Sequence, residues 1–516
     1  MHSVTVHNPA TGALLAELPE ATKADVDAAV ARARAAQPAW AALGPRARAE
    51  ALGRVQEALL MARQEIADIV VAETGKPLVE ALGSDVLSAL DSLKWCATKA
   101  ASHLEPEKIR LSNPLFVGRK SVIEREPLGV VGIISPWNYP LAIPAGNVAQ
   151  CLVAGNAVVL KPASFTPQTA LKLREIYTRA GIPADVFQVV VGGGRTTGEA
   201  LIAADIDHLI FTGSVPVGLD VDKRLRERGV GSTMELGGSD AAIVLDDAHF
   251  ENAVRGVVWA RFTNAGQTCA ATKRVFVQRS LYDRFVAAVV ERTRALRLGS
   301  PTDTNTDVGC LTDPRSVDEM ASFVDDARKR GGRVLCGGKA RPDLGRHFFE
   351  PTIIVDLPAD ARLLTEECFG PILPIVPFDS VDDAIRMANS ARFGLCGSVW
   401  TSDKDVGATI ARRLHTGTVT INDTLYTFAA SETPWGGVKD SGHGLTHGRW
   451  GLEEVTRIKH INSTPAQVPG PWWFPYGPGL RDTYYRGAQF LYGSMSDKAK
   501  TGAGITSNLL RRLRGK

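Results

Sequence analysis

Residues 130–140 read "VVGIISPWNYP". Four β-branched positions and one glycine end abruptly at a Ser-Pro pair. That is the pattern of a short strand buried on both faces, with a polar loop at its carboxyl end. The same texture returns at "AVVL" (157–160), "FQVVV" (187–191) and "HLIFT" (208–212), with a helical segment filling each gap. The segment before Gly181 ends on a glycine C-cap. Strand, helix, strand at this pitch predicts parallel βαβ units wound on both faces of one sheet.

A second alternating series follows: "AAIVL" (241–245), "RVFV" (274–277), "PILPIVPF" (371–378), "CGSVW" (396–400) and "GTVTI" (417–421). It predicts a second α/β domain, with the junction near "MELGGSD" (234–240), where paired glycines interrupt the pattern. Upstream, the first hundred residues read as mostly helical. Thr22 and Asp25 have the spacing of a capping box, followed by Val26, Val30, Ala33 and Ala36 along one face. After Pro465 the chain turns aromatic and rich in Pro and Gly, then ends in "NLLRRLRGK".

With 516 residues, two or more domains are expected. Lys and Arg number 59 against 56 Asp and Glu, too even a balance to suggest a nucleic-acid partner. Seven cysteines are scattered without a CxxC pair, which argues against a disulfide framework or a zinc site and for a reducing compartment. The start lacks a signal-peptide layout and no apolar run is long enough to span a bilayer, so a cytoplasmic protein is expected.

One cysteine stands out. Cys269 lies in "NAGQTCAA" (264–271), between a predicted glycine turn and a predicted helix. A lone cysteine reads first as a small buried hydrophobe, but Gly266 and the polar residues before it permit close backbone approach around the sulfur. A nucleophilic thiol needs a base and an oxyanion donor. Glu235 in "MELGG" ends a predicted strand beside two glycines that clear access to it, and reads either as that base or as a structural carboxylate. Asn138 in "SPWNYP" (135–140) falls at the carboxyl edge of the first sheet, where parallel sheets place ligands, and its amide could donate to a developing O⁻. It could equally close a turn. Gly213 and Gly218 in "FTGSVPVG" (211–218) open a helix after a strand, a layout that offers backbone N–H groups to phosphate. Lys161 in "KPAS" (161–164) ends the neighbouring strand, within reach of a ribose hydroxyl or phosphate, or in solvent.

Taken in order, PWN, KPAS, FTGS, ELGG, GQTC, EECFGP and PWGGVKDSG resemble the aldehyde dehydrogenase superfamily over roughly residues 5–462. The resemblance implies two Rossmann-like domains with a small β oligomerisation extension. It implies NAD(P)⁺-dependent oxidation of an aldehyde to the acid through a thiohemiacetal and a thioester. By that resemblance Cys269 is the nucleophile, Glu235 the general base, and Asn138 with the Cys269 backbone N–H the oxyanion site. The implied cofactor residues are Pro136, Trp137, Lys161, Ser164, Gly213, Ser214, Gly218, Leu236, Glu367 and Phe369. Glu367 would meet the nicotinamide ribose, Phe369 the nicotinamide, and Lys161 the adenosine ribose, with Gly213, Ser214 and Gly218 along the pyrophosphate. The implied boundaries are 1–110 with 126–237 for the dinucleotide domain and 238–450 for the catalytic domain. The extension takes 111–125 with 451–464, and residues 465–516 form a tail. A homodimer or homotetramer is implied, with no metal.

Three departures qualify the resemblance. Ser164 stands where many NAD-preferring members carry Glu, which favours acceptance of NADP⁺. "SGHGLTHG" (441–448) differs from the family's late motif, and the tail lies beyond the common core. Two other functions remain: acyl transfer to CoA, and a non-catalytic structural protein on this fold. For the tail, one reading packs its aromatics on a neighbouring subunit. The other inserts Phe490, Leu491 and Tyr492 at a membrane surface, with Arg511, Arg512, Arg514 and Lys516 meeting anionic headgroups.

Overall fold

The computed structural model describes residues 2–113, 116, 118–465, 470, 472–474, 476 and 478–498. They form two compact units, residues 1–105 with 125–457, and residues 106–124 with 458–516.

The first unit holds two large sheets. One has six strands in the order Gly442–His443, Gly231–Glu235, His208–Thr212, Val130–Ile134, Ala157–Lys161 and Phe187–Val189. All its pairings are parallel except that of Gly442–His443 with Gly231–Glu235. From Val130–Ile134 the chain winds outward through Ala157–Lys161 and Phe187–Val189, then returns to lay His208–Thr212 on the other side. Residues 135–140 therefore leave the sheet at its topological switch point, where a crevice opens at the carboxyl edge. The central strands are buried along their length because helices cover both faces.

The second sheet has seven strands, in the order Arg333–Cys336, Thr352–Val355, Ile372–Phe378, Thr272–Gln278, Asp240–Val244, Cys396–Trp400 and Thr418–Ile421. Its pairings are parallel except at the Arg333–Cys336 edge. Only four residues separate the end of the first sheet at Glu235 from the start of the second at Asp240. Gly181 does follow the Pro167–Arg179 helix with φ +93, in the left-handed region that glycine tolerates. The capping box at Thr22 and Asp25 is also present, each side chain accepting from the other's backbone N–H.

The first hundred residues are mostly helical, through Lys23–Ala42, Gly44–Met61, Arg63–Thr74 and Ser88–Thr98, but Ser3–His7 and Leu14–Pro19 before them pair as an antiparallel hairpin. One expectation needs correction. The residues after Cys269 turn and enter the Thr272–Gln278 strand instead of a helix, since Thr, Val and Phe there fill a central position in the sheet. The Arg333–Cys336 and Thr352–Val355 strands were not foreseen, because each is only four residues long and gives little periodic signal.

The second unit holds most of a three-stranded sheet made by Glu107–Ile109, Lys120–Pro127 and Thr456–Ser463. Ser121 Oγ and the His460 ring share a hydrogen bond at 2.6 Å. Pro478–Tyr492 is a helix that exposes Tyr484, Tyr485 and Tyr492. The four terminal cations lie outside the described residues. Among the described residues no helix is long and apolar enough to cross a membrane.

Candidate active site

Cys269 hangs from an unusual turn. The Phe250–Phe262 helix ends, and Asn264, Ala265 and Gly266 take left-handed φ values of 52, 52 and 76. Two of these are not glycine, so the conformation persists only because neighbours hold it. Glu80 does so directly, accepting from Thr263 Oγ1 and from the Asn264 backbone N–H, both at 2.9 Å. The Asn264 amide donates to the Asn138 carbonyl at 3.0 Å, and Gln267 Nε2 returns to the Asn264 carbonyl at 3.0 Å. Gly266 has no alternative: a Cβ there would stand 2.3 Å from the Gly370 carbonyl oxygen.

This turn brings the expected chemistry together. Asn138 is buried and its Nδ2 donates to the Gln267 carbonyl at 3.0 Å, which leaves a second N–H on the same amide. Glu235 ends its strand buried, with Oε1 lacking any hydrogen-bond partner. Glu235 and Cys269 face the same small cavity of about 30 Å³, room for a water molecule or two. Cys269 also lies at the floor of a much larger funnel of about 760 Å³. Burial pushes the Cys269 thiol up to about 12, opposed in part by Lys273. Burial likewise raises the Glu235 carboxyl well above the ordinary carboxylate range.

The paired glycines of "ELGG" do something other than clear Glu235. A Cβ on Gly237 would fall 2.0 Å from Glu367 Oε2, and one on Gly238 would fall 2.8 Å from the Cys269 carbonyl oxygen. They let Glu367 and the Cys269 backbone approach, and Glu367 then accepts from the Gly238 N–H at 3.0 Å. Trp137 and Phe369 meet edge to face at 5.7 Å, with Pro136 preceding Trp137 in the same loop. Leu236 is buried, and its N–H donates to the Ser441 carbonyl.

Along the first sheet's carboxyl edge, Gly213 and the exposed Ser214 precede the Val215–Glu227 helix, whose first N–H groups have no partner within the helix. Gly218 is not beside them. It is buried one turn into that helix, where a Cβ would strike Leu236 at 2.2 Å, so its role is close helix–strand packing. Lys161 is buried, not solvated, and burial lowers its ammonium to about 8. Its Nζ has no hydrogen bond or ion pair among the described residues, and the Glu20 carboxylate favours its charge against that burial. Ser164 is half-buried in the turn after that strand. A dinucleotide fits this set: helix N-terminal donors and a desolvated cation at one end, and Glu367 with two aromatic rings at the other.

Sequence reasoning missed the supporting residues. Lys76 and Asp85 form a fully buried ion pair at 2.6 Å, and Lys76 Nζ also donates to the Asn138 carbonyl. Lys273 donates to the carbonyls of Thr268 and Cys269, at 2.9 and 2.6 Å, and stands 3.6 Å from Glu367. No local pattern marks these lysines; only their burial does. "SGHGLTHG" finds a structural use, with Ser441 Oγ donating to the Gly237 carbonyl and Gly442–His443 adding an edge strand beside Glu235.

Residues 1–461 match the sequence model of the aldehyde dehydrogenase family. A provisionally named succinate-semialdehyde dehydrogenase (NADP⁺) of Mycolicibacterium smegmatis is 36% identical over 90% of each chain. Among solved structures, an NADP-dependent enzyme of E. coli superposes with a TM-score of 0.86 at 34% identity, covering 90% of this chain and 95% of that one. A betaine aldehyde dehydrogenase of Staphylococcus aureus, in complex with NAD⁺, gives 0.87 at 31% identity, covering 92% and 96%. The chain belongs to the aldehyde dehydrogenase family. It is an oxidoreductase that oxidises an aldehyde with NAD(P)⁺ as cofactor.

Proposed function

We propose that Cys269 is the nucleophile of this oxidation and that Glu235 releases the product by activating water. The observation that carries the reading is that Cys269 borders both cavities: a wide funnel for the aldehyde on one side, and a water-sized space shared with Glu235 on the other. The thiolate adds to the carbonyl carbon, forming a C–S bond and an oxyanion. The free N–H of Asn138 and the Cys269 backbone N–H receive that charge, a contribution of ~2.7–4 kcal/mol for one such donor. The dinucleotide, when bound, supplies the hydride acceptor that converts the thiohemiacetal to a thioester. Glu235 then takes a proton from water in the small cavity as the water adds to the thioester carbon; the C–S bond breaks, leaving the acid and the thiol. A base at this position favours hydrolysis over transfer to CoA.

Lys161, Gly213 and Ser214 would hold the adenosine ribose and phosphates, and Glu367, Pro136, Trp137, Leu236 and Phe369 would line the nicotinamide end. Ser164 places no carboxylate against a 2′-phosphate, which supports use of NADP⁺. The NADP⁺ in the names of two similar proteins supports the same choice. We take residues 1–110 with 126–237 as the dinucleotide domain and 238–450 as the catalytic domain. Residues 111–125 with 451–464 are the assembly extension of a homodimer or homotetramer, and 465–516 a tail for subunit packing or weak membrane contact. Seven free thiols support cytoplasmic residence. The test is trapping: an aldehyde oxidised in the presence of Glu235→Gln enzyme should leave an acyl group on Cys269 by mass spectrometry of the peptide, and acylation elsewhere would overturn the assignment.

A further inference from the structure

The funnel above Cys269 has an uneven chemistry. Its wall holds the buried Ile143, Phe262, Val308 and Trp435 and the half-buried Phe428, with Phe428 edge-on to Trp435 at 5.2 Å, and Phe428 and Trp435 pack with Cys269 itself. At the mouth stands Trp259, half exposed. Among the described residues that line it, the cations are Arg255 and Arg292, with side chains 68% and 37% exposed, and both already face Glu251, at 3.8 and 2.5 Å. Their exposure puts them at the rim, away from the buried floor, where with the single Glu251 they keep one net positive charge.

The carboxylates are placed differently. Asp307 is matched by Arg297. Glu80 is in the wall, and the nearby cation Lys76 is already paired with Asp85 at 2.6 Å. The three groups together carry one net negative charge when ionised. Burial pushes the Glu80 carboxyl up to about 7, so at pH 8 it is mainly ionised.

From this we infer that the enzyme takes uncharged aldehydes with an apolar body, and that Glu80 in the funnel wall selects against aldehydes bearing a carboxylate. The inference rests on the reading of Cys269 as the reacting thiol. A carboxylate on a short substrate would lose its water against the buried apolar wall and meet the like charge of Glu80 there, since the cations that line the funnel stand at its exposed rim. The similar Mycolicibacterium protein is named for an aldehyde that does carry a carboxylate, so the two chains should differ in substrate.

The test uses full-length enzyme at pH 8 with NADP⁺ and three aldehydes: hexanal, butanal and succinic semialdehyde, the last two sharing a four-carbon skeleton. Two extra buried methylenes should raise kcat/KM for hexanal about tenfold over butanal. Butanal should exceed succinic semialdehyde by roughly thirtyfold or more. Glu80→Gln, which can still accept from the Asn264 N–H, should narrow that second gap by about tenfold. Succinic semialdehyde equal to or better than butanal would overturn the inference, and an unchanged gap in Glu80→Gln would remove Glu80 from it. If none of the three is oxidised, the reading of Cys269 fails instead. Calorimetric binding of hexanamide against succinamate then decides the funnel by itself: preference for hexanamide supports the inference, and preference for succinamate overturns it.

Discussion

Lys76 Nζ donates to the backbone carbonyl of Asn138 across 2.7 Å, from a site with no exposure to solvent. The same ammonium pairs with Asp85, whose other oxygen accepts from the N–H groups of Leu141 and Ala142. One buried pair thus pins Asn138 itself and the carboxyl end of the loop that carries it. Lys76→Met strands the Asp85 carboxylate, so it should cost ~3–5 kcal/mol of stability. It should also lower kcat by loosening the oxyanion donor. Urea denaturation and turnover check the two parts, and a variant unchanged in both contradicts this role.

Cys269→Ala should abolish aldehyde oxidation, a loss of at least about a thousandfold, since the proposed covalent step is made by its thiol. Cys336→Ala, half-buried at the end of an edge strand, should keep most activity. The initial rate of NADPH formation separates them.

Glu235→Gln should keep a pre-steady-state burst of reduced cofactor while slowing steady turnover about a hundredfold or more, because attack by the thiolate does not need the carboxylate and hydrolysis does. Normal steady-state turnover in this variant would remove Glu235 from the mechanism.

Activity should climb with pH. Burial holds Cys269 up at about 12 and Glu235 above the usual carboxylate range, so both stay protonated to higher pH than in water. Both work deprotonated, and their active fractions grow as pH rises. The burst rate, measured from pH 6.5 to 9, should increase across the window, approaching tenfold per unit where the thiol limits. A profile that falls over that range would contradict the assignment.

Ser164→Glu should move the ratio of kcat/KM for NADP⁺ over NAD⁺ downward by about tenfold or more, by setting a negative charge against the 2′-phosphate. Fluorescence titration of each dinucleotide gives the same comparison without turnover.

The first sheet was readable because its strands are short apolar runs bounded by Pro and Gly, and buried parallel strands must look that way. Cys269, Glu235 and Asn138 stood out as candidates because each sits beside residues with special backbone needs. The N-terminal hairpin was not readable, since Leu14–Pro19 is largely half-exposed and its alternation is weak. The turn into the Thr272–Gln278 strand was not either: small residues after Cys269 suit a helix or a turn, and sheet pairing made the choice.

What the sequence determined by itself is the layered α/β plan, together with the candidates for the reacting groups, because strand composition, glycine turns and motif order are local properties of the chain. The tertiary structure alone decided their environment. Lys76 and Lys273 look like any surface lysines until burial strips their water and points them at carbonyl oxygens. Gly218 looks like a phosphate-loop glycine until Leu236 fills the space its side chain would need. Glu80 is one acidic residue on a short helix until the fold sets it in the wall above Cys269 with its neighbouring cation already paired. Charge, solvation and reach depend on which distant segments meet, and spacing along the chain does not contain that.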